Sequence, residues 1–168
     1  MGIPEVDPTV GSPMLELGAR LLRPRPVRYL VRHIVPRIDP PLLRLSGGRV
    51  SSAMVTPELL LTTVGAKTGE RRVTPLTYFT DNGRVIVVAS NYGGRRHPAW
   101  YHNVRRQRRV RLAAGRYEGT FVGEEVTGSE RDRLWELAKN WIPSYADYEK
   151  STQGRTIPIL AFTEIALQ

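Results

Sequence analysis

LLLTTVGAKTGERRVTPLTYFTDNGRVIVVASNYGGRRHPAWYHNVRRQRRVRL, residues 59–112, decides the fold of this chain. Apolar, β-branched runs alternate with short polar turns. A first strand ends in Gly65-Ala66-Lys67-Thr68-Gly69-Glu70-Arg71-Arg72, and a second begins at Val73-Thr74-Pro75-Leu76-Thr77-Tyr78. Asp81-Asn82-Gly83 is a hairpin signal, because Asn and Gly tolerate positive φ. A third strand runs out through Val88-Ala89-Ser90-Asn91-Tyr92-Gly93-Gly94, and a helix start follows at Pro98-Ala99-Trp100-Tyr101-His102-Asn103. Two glycine turns, clustered cations and an aromatic helix start point to a site for a phosphorylated, planar ligand.

Outward from this block the pattern stays β-rich. Strands are expected over 59–64, 73–79, 85–90, 110–113, 117–126 and 157–162. A second tight turn falls at Ala114-Gly115-Arg116. Short strands joined by tight turns close readily into a small barrel. One late helix is expected, capped by Ser129 and started by Glu130 and Asp132, with Leu134, Leu137, Ala138 and Trp141 as its buried stripe. Pro143 is expected to end it, leaving Ser144-Tyr145-Ala146-Asp147-Tyr148 as a loop.

The N-terminal part differs. Residues 1–19 hold Pro and Gly and are expected to be loosely ordered at first, with a helix starting near Ser12-Pro13. Residues 20–49 carry eight arginines and one acid, Asp39, among Leu30, Val31, Ile34, Val35, Leu42, Leu43 and Leu45. Prolines 24, 26, 36, 40 and 41 break it into short pieces. Such an arm either packs its apolar stripe on the core, the commoner use of a stripe, or lies on an anionic membrane surface. The chain is therefore divided into a variable basic amphipathic arm, 1–49, and a domain, 50–168.

Composition narrows the chemistry. There are no cysteines among the 168 residues, which removes disulfides, thiolate catalysis and zinc–thiolate sites. His97 and His102 stand i, i+5 and do not align on one helix face, so no metal site is expected. The formal net charge of +9 suits a polyanion: nucleic acid, anionic lipid or a phosphorylated cofactor. Arg105, Arg106, Arg108, Arg109 and Arg111 raise the nucleic-acid reading, but no aromatic stacking platform accompanies them, and part of the run enters a strand. A charged outer face is favoured, and no nucleic-acid partner is expected. No secretory signal and no apolar run near ~20 residues is present, so a cytoplasmic protein is expected, with the arm as a candidate peripheral contact.

Lys67, Arg71 and Arg72 flank a glycine turn whose N–H groups can approach an anion, though a basic glycine turn alone is more often a solvated hairpin. It is neither a P-loop nor a GxGxxG turn. The free N–H groups at the start of the 98–103 helix can hold a phosphate or carboxylate. No GxSxG motif and no defensible nucleophile–base pair is visible, so any catalysis must rest on a bound cofactor.

The ordered string Leu60-Leu61-Thr62-Thr63, Gly65-x-Lys67-Thr68-Gly69, Arg72-Val73-x-Pro75-Leu76, Gly83-Arg84-Val85-Ile86-Val87-x-Ala89-Ser90, Gly93-Gly94, Pro98-x-Trp100-Tyr101-x-Asn103, Pro143-Ser144-Tyr145-x-Asp147-Tyr148 and Arg155-Thr156-Ile157-Pro158-Ile159 resembles the deazaflavin-dependent nitroreductase family, actinobacterial proteins that use coenzyme F420. The resemblance covers residues 56–162. It implies a mainly β fold with flanking helices, a split β-barrel like that of the FMN-binding flavoreductases. It also implies an oxidoreductase that passes hydride from reduced deazaflavin to quinones, with nitroaromatics reduced adventitiously.

Carried onto this chain, the resemblance makes Lys67, Thr68 and Arg72, with Ala66, the holders of the phosphate and acidic tail. Val73, Thr74, Pro75, Leu76 and Thr77, with Val88, Ala89, Ser90 and Asn91, would line the deazaflavin. Ala99, Trp100, Tyr101, His102 and Asn103 would bring helix-start N–H groups to the cofactor. Tyr145 would cover the ring and hydrogen-bond the acceptor oxygen, with Ser90 as the second candidate for that bond. Tyr148, Ile142 and Thr77 complete the expected substrate side. Ile142 stands where nitro-activating members can carry a tyrosine, and Thr77 replaces an aromatic of some members. These departures favour quinones over nitroaromatics as acceptors. Two other readings stay open: an FMN-using relative on the same barrel, and a non-catalytic cofactor carrier or basic nucleic-acid-binding module.

Overall fold

A computed structural model describes residues 2–10 and 56–166. Six antiparallel strands close into a barrel in the order β1-β2-β3-β6-β5-β4. They are β1 (Glu58–Val64), β2 (Arg71–Asp81), β3 (Arg84–Val88), β4 (Arg109–Ala114), β5 (Tyr117–Glu125) and β6 (Ile159–Glu164). The helices are α1 (Ala99–Arg106), α2 (Gly128–Trp141) and α3 (Ser144–Ser151), and a single 3-10 turn spans Asn91–Gly93.

Hairpin pairing follows the turn residues. Asn82 and Gly83 take φ of 51° and 73°, which lets Asp81 and Arg84 pair directly across the β2–β3 turn. Strand alternation then sorts the side chains into two apolar bodies. Leu59, Leu61, Tyr78, Val85, Val87, Leu112, Phe121, Leu160 and Phe162 fill the barrel, joined by Trp100, Tyr101 and Val104 of α1. Phe79, Ile86, Val88, Ile159 and Ala161 point outward and are covered by Leu134, Trp135, Ala138 and Trp141 of α2 and by Tyr145 and Tyr148 of α3. A charged outer face accounts for the later arginines: Val110, Leu112 and Ala114 are buried while Arg109 and Arg111 are exposed, and Arg111 meets Glu118 at 3.1 Å.

Three expectations are corrected. The 144–148 segment is the start of α3, not a loop; Pro143, with φ of −56°, precedes the new helix rather than simply ending the old one. Thr127, without a side-chain cap bond, stands at the N-cap of α2 in place of Ser129, which lies inside the helix. The opening residues are tied down: Val6 N–H donates to Thr80 Oγ1 at 2.9 Å, Thr80 N–H donates to Val6 O at 2.9 Å, and the Tyr78 hydroxyl donates to Pro4 O at 3.1 Å. The expected arm helix near Ser12-Pro13 and the basic stripe of 20–49 lie outside the described residues. Among the described residues no helix is long and apolar enough to cross a membrane.

Candidate active site

The β1–β2 turn, the loop after β3 and the start of α1 surround a cleft of about 1230 Å³. The turn is shaped by its own backbone: Gly65 N–H donates to Glu70 O and Gly69 N–H to Gly65 O, both at 2.8 Å. A Cβ on Gly65 would stand 2.6 Å from Thr68 Oγ1, so the turn closes this tightly around a glycine. Asn103 of α1, buried, locks it from below. Its Oδ1 accepts from Ala66 N–H at 2.9 Å and its Nδ2 donates to Thr63 Oγ1 at 3.0 Å. Removing that amide would strand a backbone donor and a hydroxyl beside the core.

The cleft is electropositive. Lys67, Arg72, Arg95, Arg96 and Arg155 line it with His97 and His102, and no carboxylate does so among the described residues. Glu70 reaches Arg72 from outside the lining, at 2.5 Å, but both side chains are more than half exposed, so this pair is weak and exchangeable. Pro98 N-caps α1 without a side-chain bond, so the first helical N–H groups add partial positive charge next to Ala99 and Trp100, which also line the cleft. Burial first, then the neighbouring Arg155 charge, holds His97 below the ordinary histidine range.

Of the residues singled out from sequence, Ala66, Lys67, Thr68, Arg72, Val73, Thr74, Ala99, Trp100, His102 and Asn103 meet around this cleft. From there the outer face of β2 leads away. By alternation Val73, Pro75 and Thr77 share that face with Phe79, which meets Trp141 edge-on at 5.8 Å. Thr77 Oγ1 lies 3.0 Å from Thr56 Oγ1. Leu76 packs against the barrel interior, while Ala89 and Tyr101 are buried inside it; the Tyr101 hydroxyl donates to Glu125 at 2.8 Å. Val88 lies under the helices. Ser90 makes no side-chain cap bond to the turn that follows it, and Asn91 Nδ2 donates to Arg96 O at 2.8 Å.

Tyr145 and Tyr148 do not line the cleft; they belong to the helical layer, Tyr145 being 6.0 Å from both Trp135 and Tyr148 between ring centroids. Ile142 packs at the margin of the same layer. Burial, then Tyr148 and Tyr92, push the Tyr145 hydroxyl well above the ordinary tyrosine range, so it stays protonated at any working pH. Sequence reasoning passed over Arg95, Arg96, His97 and Arg155. The first three were detectable as a basic run directly before a helix start; Arg155 becomes a lining residue only through folding.

The donor set suits coenzyme F420, whose phosphate and acidic tail are anionic: cations, helix-start N–H groups and a glycine cradle converge, without an opposing carboxylate among the described residues. Comparison with known proteins agrees. The family model described as F420H(2)-dependent quinone reductase matches residues 36–164. An F420H(2)-dependent quinone reductase of Mycobacterium tuberculosis is 33% identical over 144 residues, covering 81% of this chain and 96% of that protein. Among solved structures, an F420-H2 dependent reductase is 37% identical with a TM-score of 0.58, covering 64% of this chain and 94% of its own. A chain solved as a domain-swapped dimer is 33% identical with a TM-score of 0.59, covering 74% and 95%. With a closed six-strand barrel, a cation-lined cleft and a family match over most of its length, the chain belongs to the F420H(2)-dependent quinone reductases.

Proposed function

We propose that the cleft holds coenzyme F420 and that the chain catalyses hydride transfer from the reduced coenzyme to a quinone. The observation that carries the reading is the lining itself: among the described residues, five cations and no carboxylate around a glycine turn and a helix start. Lys67, Thr68 and Arg72 would hold the phosphate and acidic tail through charge-assisted bonds. The outer face of β2 from Val73 to Thr77, with Ser90 in the segment after β3, would carry the planar ring. Bound and reduced, the deazaflavin supplies a hydride; a proton completes the quinol.

The chain's own part is binding, orientation and proton supply. Ser90 offers a hydroxyl at the mouth of β3, and Tyr145 offers one that burial keeps protonated. Ile142 and Thr77 would border the acceptor side, and their departure from the aromatic residues of some family members favours a quinone over a nitroaromatic. Oxidation of reduced F420 by menadione, followed with and without the protein, tests the reading. Rates equal to the protein-free rate would overturn it.

Residues 13–45 carry a separate proposal, a peripheral contact with anionic membrane that would bring the barrel to a lipophilic acceptor. Co-sedimentation with anionic vesicles, full-length against a chain lacking the arm, tests it; equal partitioning would favour an arm that packs on the core.

A further inference from the structure

Arg155, from far along the sequence, bonds the loop between β3 and α1 at several points. Arg155 Nε and Nη2 donate to Gly94 O at 3.1 and 2.9 Å, and Nη2 also donates to Ser90 O at 2.8 Å. Its Nη1 lies 3.0 Å from His97 Nδ1. A guanidinium only donates, so Nδ1 must be the acceptor and the ring proton must sit on Nε2. The loop needs such a clamp. Asn91, Tyr92 and Gly93 take φ of 50°, 52° and 71° in succession, a left-handed run that non-glycine residues avoid unless their surroundings enforce it. Further contacts on the turn include Ser151 Oγ donating to Gly93 O at 3.1 Å, Asn91 Nδ2 donating to Arg96 O at 2.8 Å and the Tyr92 ring meeting that of Tyr148 edge-on at 6.3 Å. A Cβ on Gly93 would fall 3.0 Å from Tyr148 Cα, so the turn is pressed against α3.

The residues this loop carries are those of the cleft: Arg95, Arg96 and His97 line it, and so does Arg155 itself. We propose that Arg155 is a positioning residue of the cofactor site: it fixes the Ser90–His97 loop and holds His97 as the neutral Nε2–H tautomer. A neutral donor is thereby set among the cations of the cleft. This rests on the reading of the cleft as the F420 site. The groups facing His97 suit a neutral ring: Arg155 ahead of β6 and His102 and Arg105 on α1 disfavour a second charge, and Glu125 at the end of β5 opposes them only in part.

Two readouts test the proposal separately. Long-range nitrogen–proton NMR of histidine-labelled protein, without cofactor, reports which ring nitrogen of His97 carries the proton, the signal being assigned by its loss in His97→Asn. Wild type is expected to show Nε2–H alone, and Arg155→Met to show both tautomers. A proton on Nδ1 in wild type, or an unchanged tautomer in Arg155→Met, would overturn the clamp. F420 titration forms the second arm. Arg155→Met and Arg155→Lys should each bind at least about tenfold more weakly, since neither keeps the forked donors. His97→Ala should also weaken binding, and His97→Asn, whose Oδ1 can accept in place of Nδ1, should restore most of the loss. Thermal melting checks the fold, and if Arg155→Met fails to fold the His97 pair decides. Wild type that fails to bind F420 would remove the site assignment and leave the tautomer to judge the clamp. Wild type that binds, with Arg155→Lys and His97→Ala binding equally well, would overturn the clamp alone.

Discussion

The two outer sides of this barrel are built from the same strands but solve different problems. On one side β3, β6 and the end of β2 present Phe79, Ile86, Val88 and Ile159 to α2 and α3, and nearly every large side chain there is apolar and covered. On the other, the β1–β2 turn, the loop after β3 and the start of α1 leave Lys67, Arg72, Arg95 and Arg96 around an open cleft. The helical side derives its stability from area removed from water. The cleft side gathers like charges and left-handed backbone, both unfavourable in themselves, and so depends on a few specific bonds such as those of Asn103 and Arg155. Stability and binding should therefore respond to different substitutions.

The largest effect is expected on the helical side. Leu134 is fully buried in α2, and Leu134→Ala removes a core side chain from a layer that cannot collapse freely. A loss of about 2–5 kcal/mol is expected in denaturant unfolding. F420 affinity of the folded variant should stay within experimental error; a parallel loss of affinity would show that the two sides are coupled.

The converse substitution is on the cleft. Lys67→Ala or Arg72→Ala should leave the melting temperature nearly unchanged, both side chains being exposed. Cofactor binding should weaken by about 1.5–3 kcal/mol, roughly ten- to a hundred-fold. Unchanged dissociation constants in both would remove these residues from the site.

Tyr145 belongs to the helical side, on a helix of the apolar layer that packs against the turn following β3. Tyr145→Phe keeps the ring and removes the hydroxyl. If the hydroxyl serves the acceptor, single-turnover oxidation of reduced F420 by menadione should slow by roughly ten- to a hundred-fold with cofactor affinity kept. A wild-type rate would make Tyr145 a packing residue and leave Ser90 as the donor.

The smallest effect is electrostatic. Arg133 donates to both carboxylate oxygens of Asp81 at 2.9 and 2.7 Å, and these bonds lower the Asp81 pKa. A carboxyl with a lowered folded-state pKa stabilises above its unfolded value, near ~3.9, and that contribution fades as pH falls through the folded value. Arg133 is about half exposed, with a side-chain accessibility of 47%, so solvent screening keeps the contribution below about 1 kcal/mol. Asp81→Asn should therefore cost a few tenths of a kcal/mol at neutral pH and flatten the stability curve below about pH 4. A curve parallel to wild type would deny the bond any role.

How much of this was legible beforehand follows from the range of the interactions. All six strands were, because alternation and turn residues such as Asn82-Gly83 are local signals. The meeting of the β1–β2 turn and the α1 start at one candidate cleft was legible for the same reason, since glycine, cations and a helix start lie within one short stretch. Helix α3 was not: Pro143 reads as a stop, and only the apolar surface of the neighbouring helix and turn makes Tyr145 and Tyr148 worth burying on a helix. Arg155 was quoted as part of a motif but not as a site residue, because its partners Ser90 and Gly94 lie 65 and 61 residues away. Leu76, Ala89 and Tyr101 read as ligand-facing by their place in the motif, while the pleat of β2 turns Leu76 toward the barrel core and Ala89, just after β3, and Tyr101, on the inner face of α1, are buried in it.

The central claim, that the cation-lined cleft is a site for the deazaflavin coenzyme, is tested most directly by titrating the protein side by side with F420 and FMN. The predicted result is saturable binding of F420 that is clearly tighter than that of FMN and is weakened in Arg72→Ala. Equal or tighter binding of FMN, or F420 binding indifferent to Arg72, would contradict it.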